Sequence, residues 1–271
     1  MTPQPLKVFV ISLERAGQRR AHMRRLLDQL GLQAEFIAAV DGRALTAADR
    51  ARYDARRARL HYRAEMSDAE IACYLSHYRC YERIADDGLP MALILEDDIA
   101  VSPNFLSVVR ALAAQSDPEW TVVRLQSQRT KVLKPRAAKD RGQSVCAVPG
   151  GTLFQLGTHV LGGCAYLMRR PAAESMVAYA RRIVRPIDQT LDRYWENGIA
   201  PYVVRPFPVW QHPDFASEIG SRGKSAHPIE RPLDAVRGRV LRMWDGVNKR
   251  AYAALRAGPQ TQSRNGEMVL R

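Results

Sequence analysis

Long apolar runs are missing from this chain of 271 residues. No stretch approaches the roughly 18 apolar residues of a membrane-spanning helix, so none is expected. Cysteine is scarce: Cys73, Cys80, Cys146 and Cys164 are the whole supply, and no two form a CxxC pair. That spacing excludes a small disulfide-stapled scaffold. The opening "MTPQPLKVFVISLERAGQRR" has too short an apolar run for a secretory leader and no small-residue cleavage site. A reducing, cytosolic setting with free thiols is the expectation. Aromatic residues make up 7% of the chain and are not interleaved with the basic clusters, so there is no base-stacking platform. Acidic residues are also short, with 28 Asp and Glu against 41 Lys and Arg, a formal charge of +13. An excess of that size points to an acidic partner: nucleic acid, an anionic membrane surface or a phosphorylated substrate. Apolar residues, at 46%, are plentiful enough for a buried core, and the length suits one large domain or one domain plus a small appendage.

The patterning is that of an α/β protein. "LKVFVISL" (6–13) is a β-rich run with the continuity of a strand buried on both faces. Met23, Leu26, Leu27 and Leu30 then recur at helical spacing, and Gly31 stands where a C-cap belongs. "QAEFIAAVDG" (33–42) reads as a second strand closed by an Asp-Gly turn, which makes a βαβ opening and a parallel sheet. Residues 45–66, rich in Arg and Ala, are expected to be a mobile excursion. Ser67 and Glu70 have capping-box spacing before a helix that ends near Gly88. "MALIL" and "EWTVVRLQ" read as strands, 127–151 as a long basic loop or lid, and Pro171 as the N1 proline of a helix after the strand "HVLGGCAYLMRR". "IAPYVVRPFPVW", with its prolines, is expected at a sheet edge.

The chemistry concentrates in "MALILEDDIA" (91–100), where Glu96, Asp97 and Asp98 follow five apolar residues. Each close pair of carboxylates costs about 4 kcal/mol at ~4 Å and an effective dielectric near 20. A divalent cation removes that repulsion, and hard oxygen ligands suit Mg²⁺ or Mn²⁺. Acids after a strand also cap helices, and Pro103 lies close by; both readings stand at this point.

An apolar strand followed by "EDD" resembles the Asp-X-Asp signature of nucleotide-sugar glycosyltransferases with the GT-A fold. The order of motifs resembles glycosyltransferase family 25, the bacterial lipooligosaccharide galactosyltransferases and their collagen-modifying relatives. "ISLERAGQRRAHM" is similar to the family's opening, "AVDG" (39–42) follows, and "EIACYLSH" (70–77), "ALILEDDI", "GGCAYLMRRPAA" and "RPIDQTL" come in family order. The resemblance covers roughly residues 6–222. Ser12, Glu14, Ala72 and Ala165 depart from the family's usual Asn, Asp, Gly and Gly.

The resemblance implies a GT-A (Rossmann-like) α/β fold with a mixed, mainly parallel sheet flanked by helices. It also implies metal-dependent transfer, with inversion, of a hexose, galactose foremost, from a UDP-sugar to a saccharide in lipopolysaccharide, lipooligosaccharide or surface-glycan biosynthesis. Mn²⁺ or Mg²⁺ would sit on Asp98, with Glu96 and His212 as further ligands. Ser12, Arg15, Arg20, Asp41, Glu96 and Asp97 would meet the nucleotide, Arg as a bidentate phosphate partner. The competing readings are a solvated helix face, favoured for Arg15 but not for Arg20, and a purely structural turn for Asp41. Asp188 is the candidate general base, against the reading of a helix N-cap. Cys73, His77 and Cys80 share a helical face but lack a fourth zinc ligand; His77 with Ser76 is read as bracing the site.

Residues 1–231 are read as the catalytic domain and 232–271 as a basic amphipathic tail. In the tail, Val236, Val240, Trp244, Val247, Ala251 and Leu255 share a face among arginines and lysines, as in helices that lie on anionic bilayers. A solvated terminal helix is the competing view. The setting expected is cytoplasmic, peripheral at the cytosolic face of the inner membrane, with a donor nucleotide-sugar, a glycolipid or oligosaccharide acceptor and no nucleic acid. The alternative is a basic nucleic-acid-binding or Mg²⁺-dependent nucleotidyl-processing protein, which rests on the net charge.

Overall fold

The computed structural model describes residues 6–62, 64–116, 118–215 and 232–256. β1 (Lys7–Ser12), α1 (Gly17–Leu30) and β2 (Glu35–Ala38) form the βαβ opening, with β1 and β2 parallel. Gly31 ends α1 in the left-handed conformation at φ 62°, which glycine adopts without steric cost. Two short helices, α2 (Ala47–Ala51) and α3 (Ala55–His61), precede the long α4 (Asp68–Asp86). The excursion expected at 45–66 is therefore built. Thr46 caps α2 in a capping box with Asp49, and Asp54 caps α3, so the local hydrogen bonds that start a helix are present despite the poor apolar periodicity. Ser67 and Glu70 form the expected box on α4.

β3 (Met91–Glu96) is followed by a turn at Asp97 and Asp98 and the short β4 (Ile99–Val101). Then come α5 (Phe105–Ala113), β5 (Val122–Arg124), α6 (Thr130–Leu133) and α7 (Ala138–Arg141). β6 (Gln143–Val148) and β7 (Gly151–Gln155) make a hairpin, so the basic stretch expected as a loop carries two one-turn helices and an edge strand. β8 (Ala165–Arg169), α8 (Arg170–Tyr179), α9 (Ile187–Leu191), α10 (Tyr194–Asn197), β9 (Tyr202–Arg205), β10 (Val209–Gln211) and α11 (Pro232–Arg256) complete the order. Pro171 does open α8.

The central sheet has the order β2-β1-β3-β8-β5-β9-β7-β6. β7 and β8 run against the other strands, which gives a mixed sheet of mainly one sense. β9 lies inside this sheet between β5 and β7, not at the expected edge. Pro201 and Pro206 flank the strand without entering it, so no ladder hydrogen bond is lost to a proline. β1 and β3 are buried on both faces: Phe9, Ile11 and Ile94 join one core cluster, Val8, Val10 and Leu93 the other. α4 and α8 cover the first face through Tyr74, Leu75 and Met176; α1 and α5 cover the second through Met23, Leu27 and Val108. Truncating one such residue to alanine costs about 2–5 kcal/mol, so the strands that carry the acids are anchored independently of them.

Candidate active site

The parallel strands β1 and β3 end at one edge, with Ile11 in register with Glu96. Ligands in open α/β sheets bind beyond such strand ends. One residue further, Ser12 Oγ donates to Asp97 Oδ2 at 2.6 Å, and both residues are buried. Arg19, from the first turn of α1, sets Nη1 at 3.1 Å from Asp97 Oδ1 and 3.9 Å from Asp98 Oδ2. The acids do not cap a helix. The chain continues as β4, and the next helix, α5, is preceded by Asn104.

β4 pairs antiparallel with β10, which puts Gln211 opposite Ile99. Gln211 Nε2 then donates to Asp98 Oδ2 at 2.9 Å, and the main-chain N–H of His212 donates to the Asp98 carbonyl at 2.7 Å. Asp98 Oδ1 is buried and has no hydrogen-bond partner. Burial first, then the charge of Glu96, raises the Asp98 pKa to about 6. A buried carboxylate oxygen without a partner is costly. Glu96 lines the same two spaces, and hard carboxylate oxygens of this kind fit Mg²⁺ or Mn²⁺.

Glu96 Oε1 is 3.1 Å from His77 Nε2, and Tyr166 holds His77 Nδ1 from behind at 2.8 Å. His77 thus braces a site acid, as the Ser-His resemblance implies. Cys73, His77 and Glu96 bring one donor atom each within 4.8 Å of one another. Cys80 stands apart from that trio, fully buried, its thiol pushed up to about 12 by burial.

A cleft of about 520 Å³ opens at this edge, lined by Ser12, Arg15, Arg19, Asp41, Cys73, His77 and all three acids. Arg15 Nε donates to Asp41 Oδ2 at 2.8 Å, and this pairing foremost holds the Asp41 carboxyl below its usual range. A smaller pocket of about 80 Å³ shares Cys73, Glu96 and Asp98 with the cleft and adds Glu70, Gly162, Asp188 and Gln211. Asp188 is buried; Oδ2 accepts from the Gly162 N–H at 3.1 Å and Oδ1 from the Gln189 N–H at 2.8 Å. Leu161 and Gly162 both have positive φ, 57° and 83°. Asp192 fixes them by accepting from the Val160 and Leu161 N–H groups at 2.9 and 2.7 Å.

Two predicted residues lie elsewhere. Arg20 is stacked over Phe36 at 4.8 Å and does not line the cleft. Arg19, in the first turn of α1, takes the place expected of it and lines the cleft together with Arg15, which lies in the turn before the helix. The His212 imidazole packs against His22 and Phe215, with ring centroids 4.7 and 5.0 Å away, and only its main chain reaches Asp98. Ser217, which shares the stretch "VWQHPDFASEIGSR" with Gln211 and His212, lies outside the described residues.

A mixed α/β sheet with an acidic turn at its carboxyl edge, beside a cleft of nucleotide size, has the layout of a GT-A-like fold. Residues 6–191 match glycosyltransferase family 25 (LPS biosynthesis protein), and the chain belongs to that family. It is 39% identical over 143 residues to a "Glycosyltransferase 25 family member" of Drosophila pseudoobscura pseudoobscura, covering 48% of this chain and 22% of that protein. It is 24% identical over 234 residues to "Procollagen galactosyltransferase 1" of Danio rerio, covering 82% of this chain and 35% of the other. Identity to the "Probable inactive glycosyltransferase 25 family member 3" of Rattus norvegicus is 33% over 221 residues, covering 74% of this chain and 37% of that one. The chain thus spans well under half the length of these relatives.

Proposed function

We propose that this protein transfers a hexose, galactose foremost, from a UDP-sugar to a saccharide hydroxyl, with inversion and with help from Mn²⁺ or Mg²⁺. The observation that carries the reading is Asp98. It lines both the cleft and the smaller pocket, and one of its buried oxygens has no hydrogen-bond partner. Asp98 and Glu96 would hold the cation, and the chemistry it would supply there is positive charge against the donor's diphosphate. The cleft is of the size that takes a small ligand or cofactor. Arg15 and Arg19 bring positive charge to the phosphates, while Ser12 keeps Asp97 fixed. In the smaller pocket, Asp188 takes the proton of the acceptor hydroxyl as that oxygen attacks the anomeric carbon. The bond from that carbon to the phosphate oxygen breaks, and its electron pair leaves with UDP. The approach of acceptor and departure of donor in two spaces that meet at Glu96 and Asp98 suits a single in-line displacement.

The acceptor in this reading is a glycolipid or oligosaccharide of the lipopolysaccharide type, met at the cytosolic face of the inner membrane. The net charge of +13 supports it, as does α11. That helix exposes Val236, Val240, Met243, Trp244 and Val247, while Asp245 pairs with Arg193 of the catalytic fold. Among the described residues no helix is long and apolar enough to cross a membrane, so contact would be peripheral.

Screening UDP-galactose, UDP-glucose and UDP-N-acetylhexosamines for Mn²⁺-dependent turnover tests the reaction, with UDP-galactose the expected substrate. Turnover of none, with tight nucleic-acid binding, would favour the nucleotidyl-processing alternative. Replacing Trp244 with Ser should weaken binding to anionic vesicles; unchanged binding would remove the membrane role of α11.

A further inference from the structure

Beside α9 lies a third space of about 210 Å³ that the donor chemistry does not use. Arg57, His61, Arg182, Arg185, Arg193 and Glu196 line it. Most of these charges are matched. Arg57 and Arg182 share Asp54 at 3.7 and 3.2 Å. Arg193 is held by Glu196 on one side and by Asp245 of α11 on the other. Arg185 is the exception. It is 8% exposed, yet among the described residues no acid lies within 4.0 Å of its guanidinium and no acceptor receives a hydrogen bond from it. His61 adds a buried Nδ1 without a partner. Burial and the charge of Arg185 depress the His61 pKa, so the ring is neutral and free to carry its proton on Nδ1.

Asp245 and Glu196 act on Arg185 only from beyond contact distance, and Arg193 opposes them. A buried guanidinium with no acid in contact is among the costlier groups a fold can keep. It is retained without penalty where an anion completes it. The Arg fork matches the oxygens of a phosphate, and the space is too small for a nucleotide but ample for one phosphate group. We propose that this pocket is an oxyanion site that takes a phosphate group, of a soluble phosphomonoester or a lipid headgroup, with Arg185 as its principal partner and His61 as a second donor. Its position gives it a consequence. Arg185 lines this space, while the next residues, Pro186, Ile187 and Asp188, line the pocket shared with Glu96 and Asp98. Filling the site therefore fixes the segment that presents Asp188. The site is independent of the donor reading.

Thermal melting of the full chain with added inorganic phosphate, against sodium chloride at equal ionic strength, reads the site directly. Wild type should gain several degrees at tens of millimolar phosphate, as expected for a ligand that binds the native state alone. Arg185→Gln should melt no lower than wild type without phosphate and lose the response. Arg182→Gln, at an exposed position, should weaken the response by severalfold. UDP binding with Mn²⁺ should be unchanged in Arg185→Gln, and Asp98→Asn should keep the phosphate response, so the two sites fail separately. Vesicles of phosphatidic acid, compared with phosphatidylcholine, distinguish the sources. Arg185-dependent vesicle binding without a response to free phosphate assigns a headgroup, and the reverse assigns a soluble phosphate. A wild type indifferent to both would overturn the proposal, as would a response that survives Arg185→Gln and disappears in Asp98→Asn.

Discussion

Gln211 Nε2 donates to Asp98 Oδ2 at 2.9 Å across 113 residues of chain. The contact covers one oxygen of the carboxylate and leaves Oδ1 bare. It also ties the last described strand to the acidic turn, so β10 helps define the site although it lies outside the central sheet.

Asp98→Asn keeps the shape and the Gln211 contact but removes the charge. Cation-dependent UDP binding should fall at least tenfold. The cation-free variant should melt at the wild-type temperature or above, since a buried carboxylate is lost. Titration calorimetry and scanning calorimetry measure the two effects. Retained binding would remove Asp98 as a cation ligand.

The pH dependence follows from the same group. Burial and Glu96 raise the Asp98 pKa from 3.8 to about 6, and burial does the same for Asp192. The folded chain therefore binds more protons than the unfolded chain between about pH 4 and 6. In the cation-free protein these two groups contribute stability that is greatest below that window and falls as pH rises through it, on the order of 2–3 kcal/mol each. The lowered carboxyls of Glu35, Asp54 and Asp68 give the opposite slope, so the Asp98 share is the difference between wild type and Asp98→Asn. Cation binding has the opposite sign, because the ligand must be deprotonated. Mn²⁺ affinity should weaken as pH drops below about 6. Denaturant melts and Mn²⁺ titrations across pH 4–8 check both slopes.

What the sequence reveals depends on how far apart the partners lie. The Ser67–Glu70 box and the Gly31 cap are local and readable from a few residues. α2 carries an equally local cap in Thr46 and Asp49, but its acid is Asp where the familiar pattern has Glu, and its five residues are too short for apolar periodicity to register. Arg19 and Arg20 are neighbours, and which one faces the acids depends on how α1 crosses β3. No local pattern separates them in advance, because Arg15 lies in the turn before α1 and sets no helical register. The His212 expectation met a different limit: its ring belongs to a cluster with His22 and Phe215, a packing between distant segments that no local pattern encodes. The acidic turn was legible because three adjacent carboxylates after a buried strand demand compensation from somewhere.

Gly162 tests the strained loop beside the smaller pocket. Its φ is +83°, and an added Cβ would stand 2.4 Å from Gln126 Oε1. Gly162→Ala should cost about 1–3 kcal/mol in stability from backbone strain and the displaced amide. It should also loosen the N–H that Asp188 accepts. Urea melts give the first number; a normal melt with unaltered turnover would show that the loop relaxes freely.

Asp188 and Asp192 lie on and just after α9, both buried, and their substitutions should part company. Asp192 Oδ1 is 3.4 Å from Arg124, and its other oxygen fixes the left-handed backbone at Leu161. Asp192→Ala leaves a buried guanidinium uncompensated and should cost about 3–5 kcal/mol, with turnover of the folded fraction reduced only modestly. Asp188→Asn keeps an acceptor for the Gly162 N–H but cannot take a proton. It should lower kcat roughly 10²- to 10⁴-fold, leave KM for the donor near wild type and shift Tm little. A variant that melts early but turns over normally would make Asp188 an anchor for the loop and send the search for the base to Glu70, the other carboxylate in that pocket outside the acidic turn.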